Sequence, residues 1–371
     1  MSTPLITFYH YAFSPYARRI QWYLALRGLP FSECIQPPTL PRPDLARLGV
    51  RHRRIPVVAI DRDVYLDTRL ILRKLEAIEG TDTVKPPLGV DANGSLELLA
   101  LERLLDILTV DTNVFLDTAR LIPANVPVMK DPAFGRDRAD FLGTPLSAKP
   151  PKPAAADTRS ASSAPPASKA LVRAESLAEI RHAASILETS LLADGRDWIL
   201  KTAAPSLADI EAIWPFHWLT TMPGAFEDGA SPAPALSPEQ FPRLFAWIGR
   251  FNAALKAARK SATQPKPKRV DGAQAAEAIW ASEAKDSAEG VDGNDPVARA
   301  AGLQVGQQAV VWPIDTGTLH KDVGRLVRLT ADEAVVEVSA PESSQSVFLH
   351  APRHMFRVRP QAEAASKDAK L

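Results

Sequence analysis

The stretch Phe13-Ser14-Pro15-Tyr16-Ala17-Arg18-Arg19 decides the fold, together with Ile55-Pro56-Val57-Val58 about forty residues later. Upstream, Leu5-Ile6-Thr7-Phe8-Tyr9 is a short apolar and β-branched run that reads as a buried strand. Downstream, Ile20, Tyr23, Leu24 and Leu26 recur at helical spacing until Gly28, a residue suited to end a helix. At the junction, the Ser14 hydroxyl can accept from an early backbone N–H. Pro15 costs nothing at the first helical position, where its missing donor has no partner anyway. A strand therefore gives way to a helix with a hydroxyl at the positive end of the helix dipole, a place that favours anions and thiolates.

Working outward, residues 1–83 read as one α/β domain. Pro30 to Ile35 alternates as a strand, Pro43 to Leu48 forms a short helix closed by Gly49, and Pro56-Val57-Val58-Ala59-Ile60 is a third strand. Asp61-Arg62-Asp63 turns the chain, Val64-Tyr65-Leu66 returns antiparallel, and Thr68 to Glu79 carries an apolar helical stripe ending at Gly80. Residues 91–260 read as all-helical, interrupted at 144–170 by a Pro/Ala/Ser/Lys segment without apolar periodicity, expected to be a disordered insert. One helix is expected from Ser95 towards Leu121, and Ser206-x-x-Asp209 marks another helix start. Residues 261–305 read as a linker with a short alanine-rich helix, and 306–360 as five short strands forming a small SH3-like or Tudor-like barrel.

The order Ser14-Pro15-Tyr16-Ala17-Arg18-Arg19, Ile55-Pro56-Val57-Val58 and Leu66-Asp67-Thr68-Arg69-Leu70-Ile71 resembles the amino-terminal thioredoxin-like domain of cytosolic glutathione transferases. Gly195 to Leu200 and Pro205 to Ile210 resemble that superfamily's helical carboxy-terminal domain. The resemblance covers residues 4–80 and 171–260, and as a whole is to fungal members with an added carboxy-terminal β-domain. It implies conjugation of the glutathione thiol to an apolar electrophile. The alternative is a non-catalytic scaffold or regulator of the same fold whose β-domain binds a protein partner.

The resemblance also assigns residues. Ser14 matches the position of a catalytic serine in tau- and zeta-like members, where a hydroxyl stabilises the thiolate that attacks; it is equally an ordinary N-cap. Ile55-Pro56 matches the segment whose cis-proline presents backbone to the cysteinyl part of glutathione. Asp67-Thr68 matches an acidic or amide residue followed by a hydroxyl, which hold the γ-glutamyl ammonium and carboxylate at a helix start; Asp67 is one methylene shorter than the family's residue. Arg54, beside Arg53, is placed for the glycyl carboxylate, or else forms a solvated charge run. Tyr11, Trp214 and His217 are assigned to the electrophile pocket, though aromatics at helical spacing also build cores.

Composition narrows the remaining classes. The chain has 371 residues, 46% hydrophobic and 23% charged, with a net charge of +1, the balance of a soluble globular protein without a field for nucleic acid or membrane. Nucleic-acid binding through Lys256 to Arg269 or the terminal strands is therefore the least favoured class. A single cysteine, Cys34, excludes an intrachain disulfide and reads as a small buried hydrophobe. With alanine at 17 and serine at 14, dithiol chemistry is excluded at the first helix. No histidine spacing suggests a metal site. A cytoplasmic location is expected, with the nucleus as the alternative, and the family's dimeric state is carried over as an expectation.

Overall fold

The structure, a computed structural model, describes residues 3–91, 94–143, 168–227, 234–261, 264–286, 288–341 and 343–362. It divides into two compact units: 1–87 with 133–145 and 262–371, and 88–132 with 146–261. The expected insert at 144–170 lies outside the described residues as far as 167.

The first unit begins β1 (Ile6–His10), α1 (Pro15–Arg27), β2 (Ser32–Ile35), α2 (Pro43–Arg47), β3 (Val57–Ile60), β4 (Asp63–Leu66) and α3 (Thr68–Glu76). Local chemistry sets these boundaries as expected. Ser14 caps α1, Pro15 opens it, and Gly28 ends it at φ 70° with its N–H on the Ala25 and Leu24 carbonyls. β1 pairs parallel to β2 and antiparallel to β3, and β3 returns antiparallel into β4. This is the thioredoxin-like α/β arrangement read from the sequence.

The second unit is helical: α4 (Leu96–Asp106), α5 (Val114–Arg120), α7 (Lys169–Ile186), α8 (Leu207–Thr220) and α9 (Pro242–Lys260). The helix expected from Ser95 towards Leu121 is broken: after α4 the backbone widens into a π-helical turn at Ile107–Asp111. There the Thr109 hydroxyl, besides bonding back to Leu105, donates to the carbonyl of Glu211 in α8. The Ser206/Asp209 capping box forms, with Ser206 N donating to Asp209 Oδ2 at 2.8 Å. Asp209 is fully buried and also accepts from Trp247 Nε1 at 2.9 Å and from Ile199 N, so one carboxylate ties α8, α9 and the 199 loop together.

The chain returns to the first unit with α6 (Pro132–Phe141), then β5 (Lys268–Arg269), α10 (Gly272–Ala281), β6 (Gly290–Val291), α11 (Pro296–Ala301), β7 (Gln308–Pro313), β8 (Asp322–Leu329), β9 (Glu333–Ser339), β10 (Ser346–Pro352) and β11 (Phe356–Pro360). The five terminal strands expected at 306–360 form where the alternation placed them, yet they do not stand apart. They continue the first sheet in the order β11-β7-β8-β9-β10-β4-β3-β1-β2-β5. The join is parallel, Phe348 opposite Asp63, Leu349 opposite Val64 and His350 opposite Tyr65. The expected linker 261–305 is likewise part of this unit, because β5 pairs with β2, β6 with β8, and Ala275, Ala276 and Ile279 of α10 are buried. One apolar cluster runs through Leu45, Val64, Leu66, Ile279, Leu326 and Leu349, so N- and C-terminal residues share a core.

Close backbone approaches hold this core together. Gly49, at φ 82° just after α2, lies so near the end of β9 that a Cβ there would overlap the Ser339 carbonyl and the Val338 side chain. No helix among the described residues is long and apolar enough to cross a membrane.

Candidate functional site

Ser14 is 2% exposed, with extended backbone at the N-cap of α1, and its Oγ accepts from Ala17 N at 3.2 Å. A hydroxyl that accepts in this way still has its own proton to donate. Thr68 is the first residue of α3, next to its Asp67 cap. It is buried, and its Oγ1 accepts from Arg19 Nη1 at 2.7 Å. Arg19 is itself fully buried in α1, so the two helix starts carrying the candidate hydroxyls are linked by one hydrogen bond. Ile55–Pro56 is cis and leads directly into β3.

Asp67 caps α3 with an unusual positive φ of 69°, and its Oδ1 accepts from Arg69 N at 3.1 Å and Arg69 Nε at 3.0 Å. Its Oδ2 accepts from Arg69 Nη2 and from Arg54 Nη2 at 3.2 Å. Burial works to raise the Asp67 pKa, but Arg69 and then Arg54 outweigh it, and the group is held well below the usual carboxylate range. Arg54 is doubly engaged, because its Nη1 also meets both oxygens of Asp315 and its guanidinium lies 5.0 Å over the Phe356 ring. Arg53 is buried between Asp137 and Asp140 of α6, at 2.5 and 2.7 Å, and stacks on Phe141. The neighbouring arginines expected as a solvated run or an anion site thus each meet carboxylates of this chain.

The three residues assigned to the electrophile pocket occupy different settings. Tyr11 is half-buried against the first unit's core. Within the second unit, Trp214 is fully buried in α8, and His217 shares a 2.8 Å hydrogen bond between its Nε2 and Asn252 Oδ1. Cys34 is buried; burial first, then Asp44, pushes its thiol up to about 12.

Arg19 and Arg69 belong to this site and were given no role of their own in the sequence, where they are only members of the quoted runs; Asp315 joins them through Arg54. Arg19 lies within the apolar stripe of α1, where only its full burial marks it out. Asp315 reads locally as a turn residue.

One cluster has metal-ligand composition among the described residues: Asp286, Glu333 and His350, with ligand atoms within 4.8 Å of one another. Lys74 and Arg328 each donate to both carboxylates, and His350 sits between Glu333 Oε2 at 3.2 Å and Asp63 Oδ1 at 3.0 Å. The carboxylates are neutralised by these cations, and the network joins β4, α3, β8, β9 and β10.

Residues 8–83 match the family model described as glutathione S-transferase, N-terminal domain. Residues 117–260 match a second family model, described as a domain of unknown function (DUF7962). A crystal structure of a GST-like protein from Pseudomonas syringae superposes with a TM-score of 0.63 at 18% identity, covering 97% of this chain and 100% of that one. The fold is that of a glutathione S-transferase-like protein. The likeness takes in the terminal strands as well as the first domain. A glutathione S-transferase from Methylobacillus flagellatus KT, with GSH bound, is similar over 70% of this chain and 100% of its own, at 17% identity and a TM-score of 0.41. No curated protein matches the chain.

Proposed function

We propose that this protein binds glutathione and joins its thiol to an apolar electrophile. The observation that carries the reading is Ser14, a buried serine capping α1 whose Oγ accepts from Ala17 N and keeps a proton to donate to sulfur. With the helix dipole behind it, such a donor favours thiolate over thiol. Thr68 at the start of α3 receives the γ-glutamyl carboxylate, and Asp67 meets the ammonium. Backbone at Ile55–Pro56 pairs with the cysteinyl residue, and Arg54 exchanges Asp315 for the glycyl carboxylate. The sulfur then attacks the electrophilic carbon, forming a C–S bond as the leaving group departs. Within the first unit, Tyr11 is the residue proposed to face the electrophile, and a homodimer is the proposed assembly.

The test is calorimetric titration of glutathione, followed by turnover of 1-chloro-2,4-dinitrobenzene with release of chloride. Asp67→Ala is expected to weaken binding at least tenfold. Ser14→Ala is expected to cut turnover by one to two orders of magnitude with a smaller change in affinity. Turnover unchanged in Ser14→Ala would sink the catalytic assignment.

A second reading has its own support. Arg54, Asp67, Arg53, Asp137 and Asp140 already pair with one another, so the charges suited to a tripeptide are internally satisfied. That favours a non-catalytic scaffold, whose terminal strands would present a protein-binding surface. The scaffold's melting temperature would not move in millimolar glutathione, since only a ligand of the native state stabilises it.

A further inference from the structure

Arg19 is 0% exposed within α1, and its Nη1 donates to Thr68 Oγ1 at 2.7 Å. A guanidinium taken wholly out of water is costly unless it is well bonded, so this contact is a built feature of the junction between α1 and α3. It also joins a cation to one of the two hydroxyls on which the proposed glutathione site depends.

Thr68 and Asp67 respond differently to the cations beside them. A carboxylate has only acceptors, and Arg69 and Arg54 engage both oxygens of Asp67. A hydroxyl has two lone pairs and one proton, so Thr68 Oγ1 accepts from Arg19 and still has that proton to give. The bond from Arg19 has two effects on that proton. It takes up one lone pair in a fixed direction, which restricts where the O–H can point. A charged donor also draws density from the oxygen and so strengthens the O–H as a donor in its turn. Thr68 is 4% exposed and is the first residue of α3, where the leading N–H groups of a helix have no intrahelical partner and favour an anion. A polarised hydroxyl at such a place suits a carboxylate.

We propose that Arg19 is a positioning residue for glutathione: acting through Thr68, it aims and strengthens the hydroxyl that holds the γ-glutamyl α-carboxylate. The inference rests on the glutathione reading given above. Because this carboxylate is remote from the sulfur, Arg19 contributes to binding and leaves the chemical step alone.

The test is calorimetric titration of the full-length protein with glutathione and with 4-aminobutyryl-cysteinylglycine, which lacks only that carboxylate. Arg19→Met is expected to weaken glutathione at least tenfold and the truncated peptide less than twofold. Glutaryl-cysteinylglycine, which keeps the carboxylate and lacks the ammonium, should lose as much as glutathione. Arg19→Lys, which restores a cationic donor, should recover most of the loss. In a Thr68→Val background Arg19→Met should cost less than threefold, because the two residues act through one bond. In turnover, KM for glutathione should rise in Arg19→Met with kcat unchanged. Should Arg19→Met not fold, Arg19→Gln keeps a neutral donor in the buried position, and its loss should again be confined to the peptides that carry the carboxylate. Equal losses for both peptides would make Arg19 a structural tie, and full additivity with Thr68→Val would break the link to that hydroxyl; either overturns the proposal. An unchanged glutathione affinity in Arg19→Met would overturn it alone, whereas no glutathione binding by the wild type would remove the glutathione reading and this inference together.

Discussion

Arg54 Nη1 donates to both carboxylate oxygens of Asp315 at 2.9 Å, across 261 residues of sequence, while its Nη2 reaches Asp67 at 3.2 Å. A residue of the terminal strand region thus supplies an anion at the position where a tripeptide carboxylate is proposed to bind. Asp315 is 36% exposed, so the pair is worth about 1 kcal/mol at most.

Asp315→Asn is therefore expected to tighten glutathione binding severalfold, because Arg54 no longer has to leave a carboxylate. The melting temperature should move by only a few degrees. Titration of wild type and variant side by side decides it. An unchanged or weaker affinity would separate Asp315 from the glutathione site.

Asp322 gives a pH signature. It is 1% exposed, and burial pushes it up to about 7 against the pull of the Arg51 and His52 N–H groups. Its unfolded value is about 3.9. Between these two values the native state holds a proton that the unfolded chain has lost, so stability falls as pH rises from about 4 to about 7. The loss is on the order of a few kcal/mol. Asp322→Asn keeps an acceptor for both N–H groups and cannot ionise. It should be more stable than wild type at pH 8, and this component of the pH slope should vanish in urea melts. Parallel wild-type and variant stability profiles would contradict the assignment.

Gly49 should not tolerate a side chain. Its φ is 82°, and a Cβ would press on the Ser339 carbonyl and Val338. Gly49→Ala is expected to cost roughly 2 kcal/mol or more, combining left-handed strain with displacement of β9. Gly293→Ala, where a Cβ meets nothing within 4 Å, is the control and should change stability little. A Gly49→Ala melt within one degree of wild type would refute the close approach.

The terminal strands should not be removable. Cutting the chain after 305 strips Leu326, Val336 and Leu349 from the shared core and leaves β4 without its β10 neighbour. The truncated protein is expected to lose its cooperative thermal transition by circular dichroism. A sharp transition near the full-length temperature would show that the first 305 residues fold alone.

The local elements of this protein were legible where chemistry acts over a few residues. Ser14-Pro15 and Gly28 bracket α1, Ser206 and Asp209 open α8, and period-two alternation marks β7 to β11, all without reference to the rest of the chain. The pairing of β10 with β4 was not legible, because a parallel partner almost 290 residues away leaves no mark on either segment. The same limit applies to the candidate site. Ser14, Pro56, Asp67 and Thr68 stood out by type and order. Arg19, which donates to Thr68, Asp315, which pairs with Arg54, and Asp137 and Asp140, which hold Arg53, are brought in by tertiary packing, and an arginine in an apolar stripe or an aspartate in a turn gives no local sign of it. The widened turn after α4 was missed for a similar reason: Leu108 and Val110 continue an apolar helical pattern, while a Thr109 bond to another helix helps fix the backbone.

The parallel seam between β4 and β10 also sets an order of events during synthesis. As the chain leaves the ribosome, any early pairing of β1 to β4 leaves β4 with a bare row of amides and carbonyls until β10 has been translated. Asp63 waits for Phe348, and Tyr65 for His350. Until β10 is made, the nascent chain carries an open edge able to recruit strands from neighbouring molecules, and the pairing of β10 with β4 closes that hazard. Nascent chains stalled before Ser346 should accordingly be protease-sensitive at β4, with protection arriving once β10 has cleared the exit tunnel.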